Sequence, residues 1–273
     1  MIAGNPLHGA RETAKRLVFA GYTASLAPLQ NRRLAAQKAQ RVSVLCYHRV
    51  NDELRDNVTI AIESFDRQIA FIRKRYQIVA PSEIVANSID RSSSRPIVAV
   101  TFDDGYLDNY QNAFPILKKH GVPAAFFVST GIVGTDRAFA HDLAKLGHGL
   151  PAMSWEQLRE MKACGFEIGS HTVNHINLAK VEETEARTEL ESAHRQIRSE
   201  LEINDVMFAY CFGRRTDITP ERRELVREIG YNSCFAAYGG TNVGPIDLFD
   251  IKRFGVNWAM SVAALQARIE GWA

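Results

Sequence analysis

Two stretches of this 273-residue chain carry residue types that could do chemistry together: Thr101-Phe102-Asp103-Asp104-Gly105 and His171-Thr172-Val173-Asn174-His175. The first follows Ile97-Val98-Ala99-Val100, an apolar, β-branched run that reads as a buried strand. Adjacent carboxylates at a strand mouth must be solvated, hydrogen-bonded or bound to a cation, because like charges side by side oppose ionisation of both. Gly105 lets the backbone turn sharply and carry the two acids in different directions. Taken alone, Asp-Asp-Gly reads as an Asx-turn. The second stretch follows another strand-like run, Phe166 to Ser170. Histidines four apart share one side if the chain enters a helical turn. Two neutral imidazoles with one carboxylate form a ligand set for a divalent metal with open positions. Either motif alone has an ordinary surface explanation. Both at strand ends point to a metal site.

Thr-Phe-Asp-Asp-Gly followed by His-Thr-x-x-His resembles the polysaccharide deacetylase family, which includes chitooligosaccharide, peptidoglycan and exopolysaccharide de-N-acetylases. The similarity runs from about Val42 to about Val256. The resemblance implies a distorted, incomplete (β/α) barrel and hydrolysis of an N-acetylated, GlcNAc-type glycan. It implies that Asp104, His171 and His175 hold a divalent metal, with zinc expected and cobalt, nickel or manganese also suited to the donors. Asp103 is then the general base that takes a proton from water. Phe208-Ala209-Tyr210-Cys211-Phe212-Gly213 resembles the family's Phe-Ala-Tyr-Pro-Phe-Gly, which makes the Phe212 backbone N–H the expected oxyanion donor.

The departures from that pattern are specific. Cys211 stands where the family has proline, so the loop that aims Phe212 loses a rigid residue. Reading Cys211 as a nucleophile or an extra ligand finds no activating partner in its sequence neighbourhood. The family's late Leu-x-His, a general acid, has no counterpart, since no histidine follows His194. Arg253 lies near that position but cannot donate a proton at neutral pH; its alternative role is to pair with Asp103 and keep it ionised. His48 ends the first strand, in Tyr47-His48-Arg49-Val50, and has two readings: general acid, or a histidine that orients Asp103.

The elements that must position these residues alternate. Strand patterns over 42–48, 78–79, 97–100, 124–128, 166–170, 206–210, 233–237 and 251–256 are interspersed with helical patterns. Ser64 is the expected cap of a helix with Phe65, Ile69, Ile72 and Tyr76 on one stripe, and Ser154 opens a capping box. Residues 109–120 suit a helix closed by Gly121, with Pro115 near its first turn, and 182–202 suit a long, solvated one. This order argues for one α/β barrel with its chemistry at the rim after the strands. His141 and His148, in an irregular stretch, read as surface residues.

Residues 1–41 differ from the catalytic region 42–273: they are basic, with Glu12 the only acid. They read as a helical extension packed on the barrel. The alternative is an amphipathic segment around Leu17–Tyr22 making peripheral membrane contact. A signal peptide is not convincing, and four widely spaced cysteines fit a reducing compartment, so the expected location is cytoplasmic, membrane-associated if 1–41 docks. A net charge of +2 gives no case for nucleic acid. Two other functions stay open: deacylation (deformylation or deacetylation) of a lipid-linked sugar, and a non-catalytic sugar-binding relative.

Overall fold

Short runs of β-branched and aromatic residues, buried on both faces, form the centre of the molecule. The computed structural model describes Gly21, residues 26–37 and residues 39–272. The strands are β1 (Val42–Tyr47), β2 (Arg49–Val50), β3 (Thr59–Ile60), β4 (Gln77–Ile78), β5 (Ile97–Phe102), β6 (Ala124–Val128), β7 (Glu167–Ser170), β8 (Met207–Ala209), β9 (Ser233–Phe235) and β10 (Arg253–Gly255). The helices are α1 (Ala27–Ala36), α2 (Ile62–Arg75), α3 (Pro81–Val85), α4 (Phe114–His120), α5 (Ala140–Leu146), α6 (Trp155–Ala163), α7 (Glu183–Leu201), α8 (Pro220–Ile229) and α9 (Val262–Ile269). The main sheet runs β10-β1-β5-β6-β7-β8-β9, with β4 paired off this path to β5, and its pairings are parallel. A parallel bridge between Phe235 and Ile251 draws the two edges together. The result is the α/β, nearly closed barrel that the sequence implied.

Two apolar clusters follow from the two-residue period of a strand. Val42, Val44, Ile97, Ala99, Phe127, Met207 and Phe235 meet in one cluster. Their alternates Leu45, Val98, Val100, Phe126 and Phe208 pack in another, which also holds helix residues such as Phe65, Leu117, Leu158, Leu190 and Leu265. The first set is therefore the barrel interior and the second the layer between sheet and helices. Gly169 shows how tight the interior is, since a Cβ there would lie 2.5 Å from the Phe127 ring.

Local details depart from the expected ones for physical reasons. Helix α2 starts at Ile62 with Ala61 at its N-cap, ahead of Ser64. Asp52, from the preceding loop, accepts from the Ile62 N–H at 3.0 Å and caps the helix from outside. The helix expected over 109–120 is a π-helical turn, Asn109–Ala113, leading into α4, with Pro115 in the first turn of α4. In the basic N-terminal region, α1 buries Ala27, exposes Leu26 and Leu29, and meets the C-terminal end through Asn31, whose side chain donates to Glu270 at 3.2 Å. Most of the Leu17–Tyr22 run lies outside the described residues. Among the described residues, no helix is long and apolar enough to cross a membrane.

Candidate active site

Strand period also decides what reaches the barrel axis at the rim. Counting in twos from the interior residues gives Cys46 and His48 after Val44, Asp103 after Thr101, His171 after Gly169, and Cys211 after Ala209. Arg253 comes two residues after Ile251 and enters from within the barrel. The expected site residues thus converge on one cavity of about 330 Å³, whose walls include His48, Asp103, Asp104, His171, His175 and Phe212. Arg253 lies buried beneath it.

Asp103 is held on both oxygens. Arg253 donates from Nη1 to Oδ1 at 2.6 Å and from Nη2 to Oδ2 at 2.7 Å. The guanidinium is fixed by further bonds to the Ala236 carbonyl (3.0 Å) and Thr101 Oγ1 (3.2 Å). The Cys46 thiol donates to Asp103 Oδ2 at 3.3 Å. Burial pushes the Asp103 carboxyl up, but the charges of Arg253, His171 and His48 and the Arg253 hydrogen bonds together hold its pKa below the ordinary value. Of the two roles open to Arg253, the geometry matches the second: it pairs with Asp103.

Asp104 faces the two histidines, with His175 Nε2 3.1 Å and His171 Nε2 3.4 Å from its Oδ1. His171 Nδ1 lies 2.8 Å from the Ala209 carbonyl. A carbonyl only accepts, so Nδ1 carries the proton and a neutral His171 turns the Nε2 lone pair toward Asp104. Asp104 Oδ1 is buried and makes no hydrogen bond despite these approaches. A carboxylate and imidazole lone pairs converging in a buried place repel unless a cation lies among them. Protons can serve: burial opposes the charged His171, yet Cys211, Asp103 and Asp104 push its pKa well above the usual value. A divalent cation serves better, since one ion satisfies all three donors. Asp104, His171 and His175 therefore fit a metal.

The backbone here is strained. Asp104, Thr172, His175 and Phe212 have φ of 76°, 61°, 55° and 64°, the left-handed region that side chains other than glycine rarely adopt. The 171–175 turn is held from α7: Glu189 Oε2 accepts from the Val173 and Asn174 N–H groups at 2.9 Å each, and its other oxygen accepts from the Asn174 side chain. Phe212 is half-exposed at the cavity mouth, with its ring centroid 5.1 Å from that of His175.

His48 has a buried Nδ1 without a hydrogen-bond partner, while its carbonyl is fixed by the Asn109 side chain at 2.6 Å. Burial lowers its pKa, against the pull of Asp104 and Asp103. His148 is exposed, as expected. His141 is not a surface residue: it lines the cavity, with its ring centroid 5.0 Å from that of His175. Its Nε2 lies 2.8 Å from the Tyr106 hydroxyl, which donates to Asp142 at 2.9 Å, and Asp142 pairs with buried Arg49 at 2.7 Å. With the tyrosine proton on Asp142, His141 Nε2–H donates to Tyr106, leaving Nδ1 as its free acceptor. Tyr106, directly after Gly105, was the sequence signal that could have led to it.

Comparison with known proteins bears on family and fold. Over 239 residues the chain is 26% identical to YxkH of Bacillus subtilis (strain 168), named for the polysaccharide deacetylases, covering 87% of this chain and 79% of that one. Over 190 residues it is 24% identical to the poly-beta-1,6-N-acetyl-D-glucosamine N-deacetylase of Staphylococcus aureus (strain MSSA476), covering 66% of this chain and 61% of that relative's length. The solved structure of IcaB from Ammonifex degensii superposes with a TM-score of 0.69 at 28% identity, covering 85% of this chain and 98% of that one. The polysaccharide deacetylase family model matches residues 90–234, a span that holds both motifs and more than half the sequence. On its motifs, its barrel and that match, the chain belongs to the polysaccharide deacetylase family.

Proposed function

We propose that this protein is a divalent-metal-dependent hydrolase that removes N-acetyl groups from a GlcNAc-type glycan. One observation carries the reading: an ionised carboxylate locked on a guanidinium, Asp103 on Arg253, stands beside the Asp104–His171–His175 donor cluster in one open cavity. The Staphylococcus aureus relative, an N-deacetylase of poly-N-acetylglucosamine by name, supports the substrate class.

An amide carbonyl is a poor electrophile and water a poor nucleophile. A divalent ion held by Asp104, His171 and His175 would polarise the carbonyl and lower the pKa of water toward about 7. Asp103 accepts the proton as the water oxygen bonds to the carbonyl carbon. The Phe212 N–H donates to the developing oxyanion. The C–N bond then breaks, and the leaving amine takes a proton from His48 in its imidazolium form, which the proton accepted by Asp103 restores. Supporting that role, Arg253 and Cys46 already orient Asp103, and His48 keeps a buried, unbonded ring nitrogen at the cavity wall.

Acetate release from oligomers of N-acetylglucosamine tests the reading on untreated, chelated and zinc- or cobalt-restored protein. Release lost on chelation and recovered with metal is expected, with Asp103→Asn slowing it ~10²–10⁴-fold. The variant leaves Arg253 without its anion, a change of about 3–5 kcal/mol in stability, so folding is checked alongside by circular dichroism. Metal binding without acetate release would shift the substrate to another acyl group, including that of a lipid-linked sugar. Glycan binding indifferent to metal, without turnover, would identify a sugar-binding protein.

A further inference from the structure

The sequence neighbourhood of Cys211 holds no partner for its thiol, but the fold supplies two. Cys211 is buried, and its Sγ donates to the His171 carbonyl at 3.3 Å and lies 3.5 Å from Thr172 Oγ1, under the turn that carries both histidines. The ligand atoms that His171, His175 and Cys211 can offer all lie within 4.8 Å of one another. The same histidines face Asp104 Oδ1, which is buried without a hydrogen bond. Sulfur and two imidazoles thus lie within reach of one ion, and the same two imidazoles meet the Asp104 carboxylate. Proline, the residue the family pattern has here, offers no donor atom in its side chain.

We propose that Cys211 is a further donor to the ion held by Asp104, His171 and His175, and that it biases this site toward thiophilic ions. This rests on the metal reading above. Thiolate favours zinc, cobalt and cadmium over manganese and magnesium, whereas carboxylate and imidazole alone discriminate less. On ligation the S–H bond breaks, its proton passes to solvent, and sulfur gives its electron pair to the ion. Cys46, the thiol that lines the cavity, bonds Asp103 instead.

The test is spectroscopic and independent of turnover. Purified protein is titrated with cobalt(II), and zinc-loaded protein is measured by X-ray absorption. One-to-one cobalt binding with a sulfur-to-cobalt charge-transfer band in the near ultraviolet is expected, along with a zinc–sulfur distance of about 2.3 Å. Cys211→Ser should lose the band and reduce the preference for zinc over manganese by about tenfold or more. One-to-one cobalt binding with only nitrogen and oxygen donors, in either measurement on the native protein, overturns the role of Cys211 and leaves the metal reading standing. Failure to bind cobalt overturns both. Because the two measurements on the native protein decide the matter, misfolding of the variant does not.

Discussion

Asp103 carries its negative charge on a guanidinium that grips both oxygens, and this sets how strong a base it can be. Every unit by which Arg253 lowers the carboxyl pKa removes about 1.4 kcal/mol of driving force for accepting a proton. Such a base serves only beside something that makes water more acidic, so the Asp103–Arg253 pair and the adjacent donor cluster make sense together. His48→Gln is expected to slow hydrolysis of an N-acetylated sugar ~10²–10⁴-fold while leaving an aryl acetate within a few-fold of native, because a phenolate departs without being protonated. Equal losses on both substrates would show that His48 acts through Asp103 or the metal donors instead. At this scale most of the site was legible. Asp103, Asp104, His171 and His175 sit in two short runs whose chemistry is local. His141 was not legible, because what gives it a place is a chain of contacts through Tyr106, Asp142 and Arg49 that no short window contains.

Helix α7 shows the same limit for an element. Its many charges read as a solvated covering helix, and most of that surface is one. Yet Glu189 lies on the stripe of Ala186, Leu190, Ala193 and Ile197 that faces the barrel. There it accepts the N–H groups of Val173 and Asn174 and fixes the turn between the two histidines. The helix was predictable from its pattern, but the one acid that turns inward was not, since the turn it grips belongs to a different element. Glu189→Ala is expected to weaken metal binding ~10–100-fold, the usual cost of losing a group that orients ligands. Calorimetric titration with zinc measures it; unchanged affinity would mean that the turn's own strained backbone holds the histidines in place.

The start of the seam between β1 and β10 is clasped by one further residue. Asn242 exchanges backbone bonds with Val42 at 2.8 and 2.9 Å. Its side chain donates to the Val42 and Lys252 carbonyls and accepts from the Lys252 N–H at 3.0 Å. Asn242→Ala strips the side-chain bonds from a buried seam and should cost about 1–3 kcal/mol, read from the urea midpoint. A loss below about 0.5 kcal/mol would show that the sheet hydrogen bonds alone hold this seam. The barrel order was legible from alternating strand and helix patterns, but this clasp was not, because Asn242 sits in a loop and joins partners far apart in the chain.

Counting in twos along a strand is what brings Cys46, His48, Asp103, His171 and Cys211 to the axis. The chemistry is therefore stored as a phase. Sequence can be rewritten, lengthened or traded in the connections above the rim without disturbing that phase. A single residue gained or lost inside β5 or β7 would swing a reactive group out among the helices, even with every residue type preserved. Changes in the connections can therefore be gradual, whereas a change of phase inside a strand moves a reactive group at once.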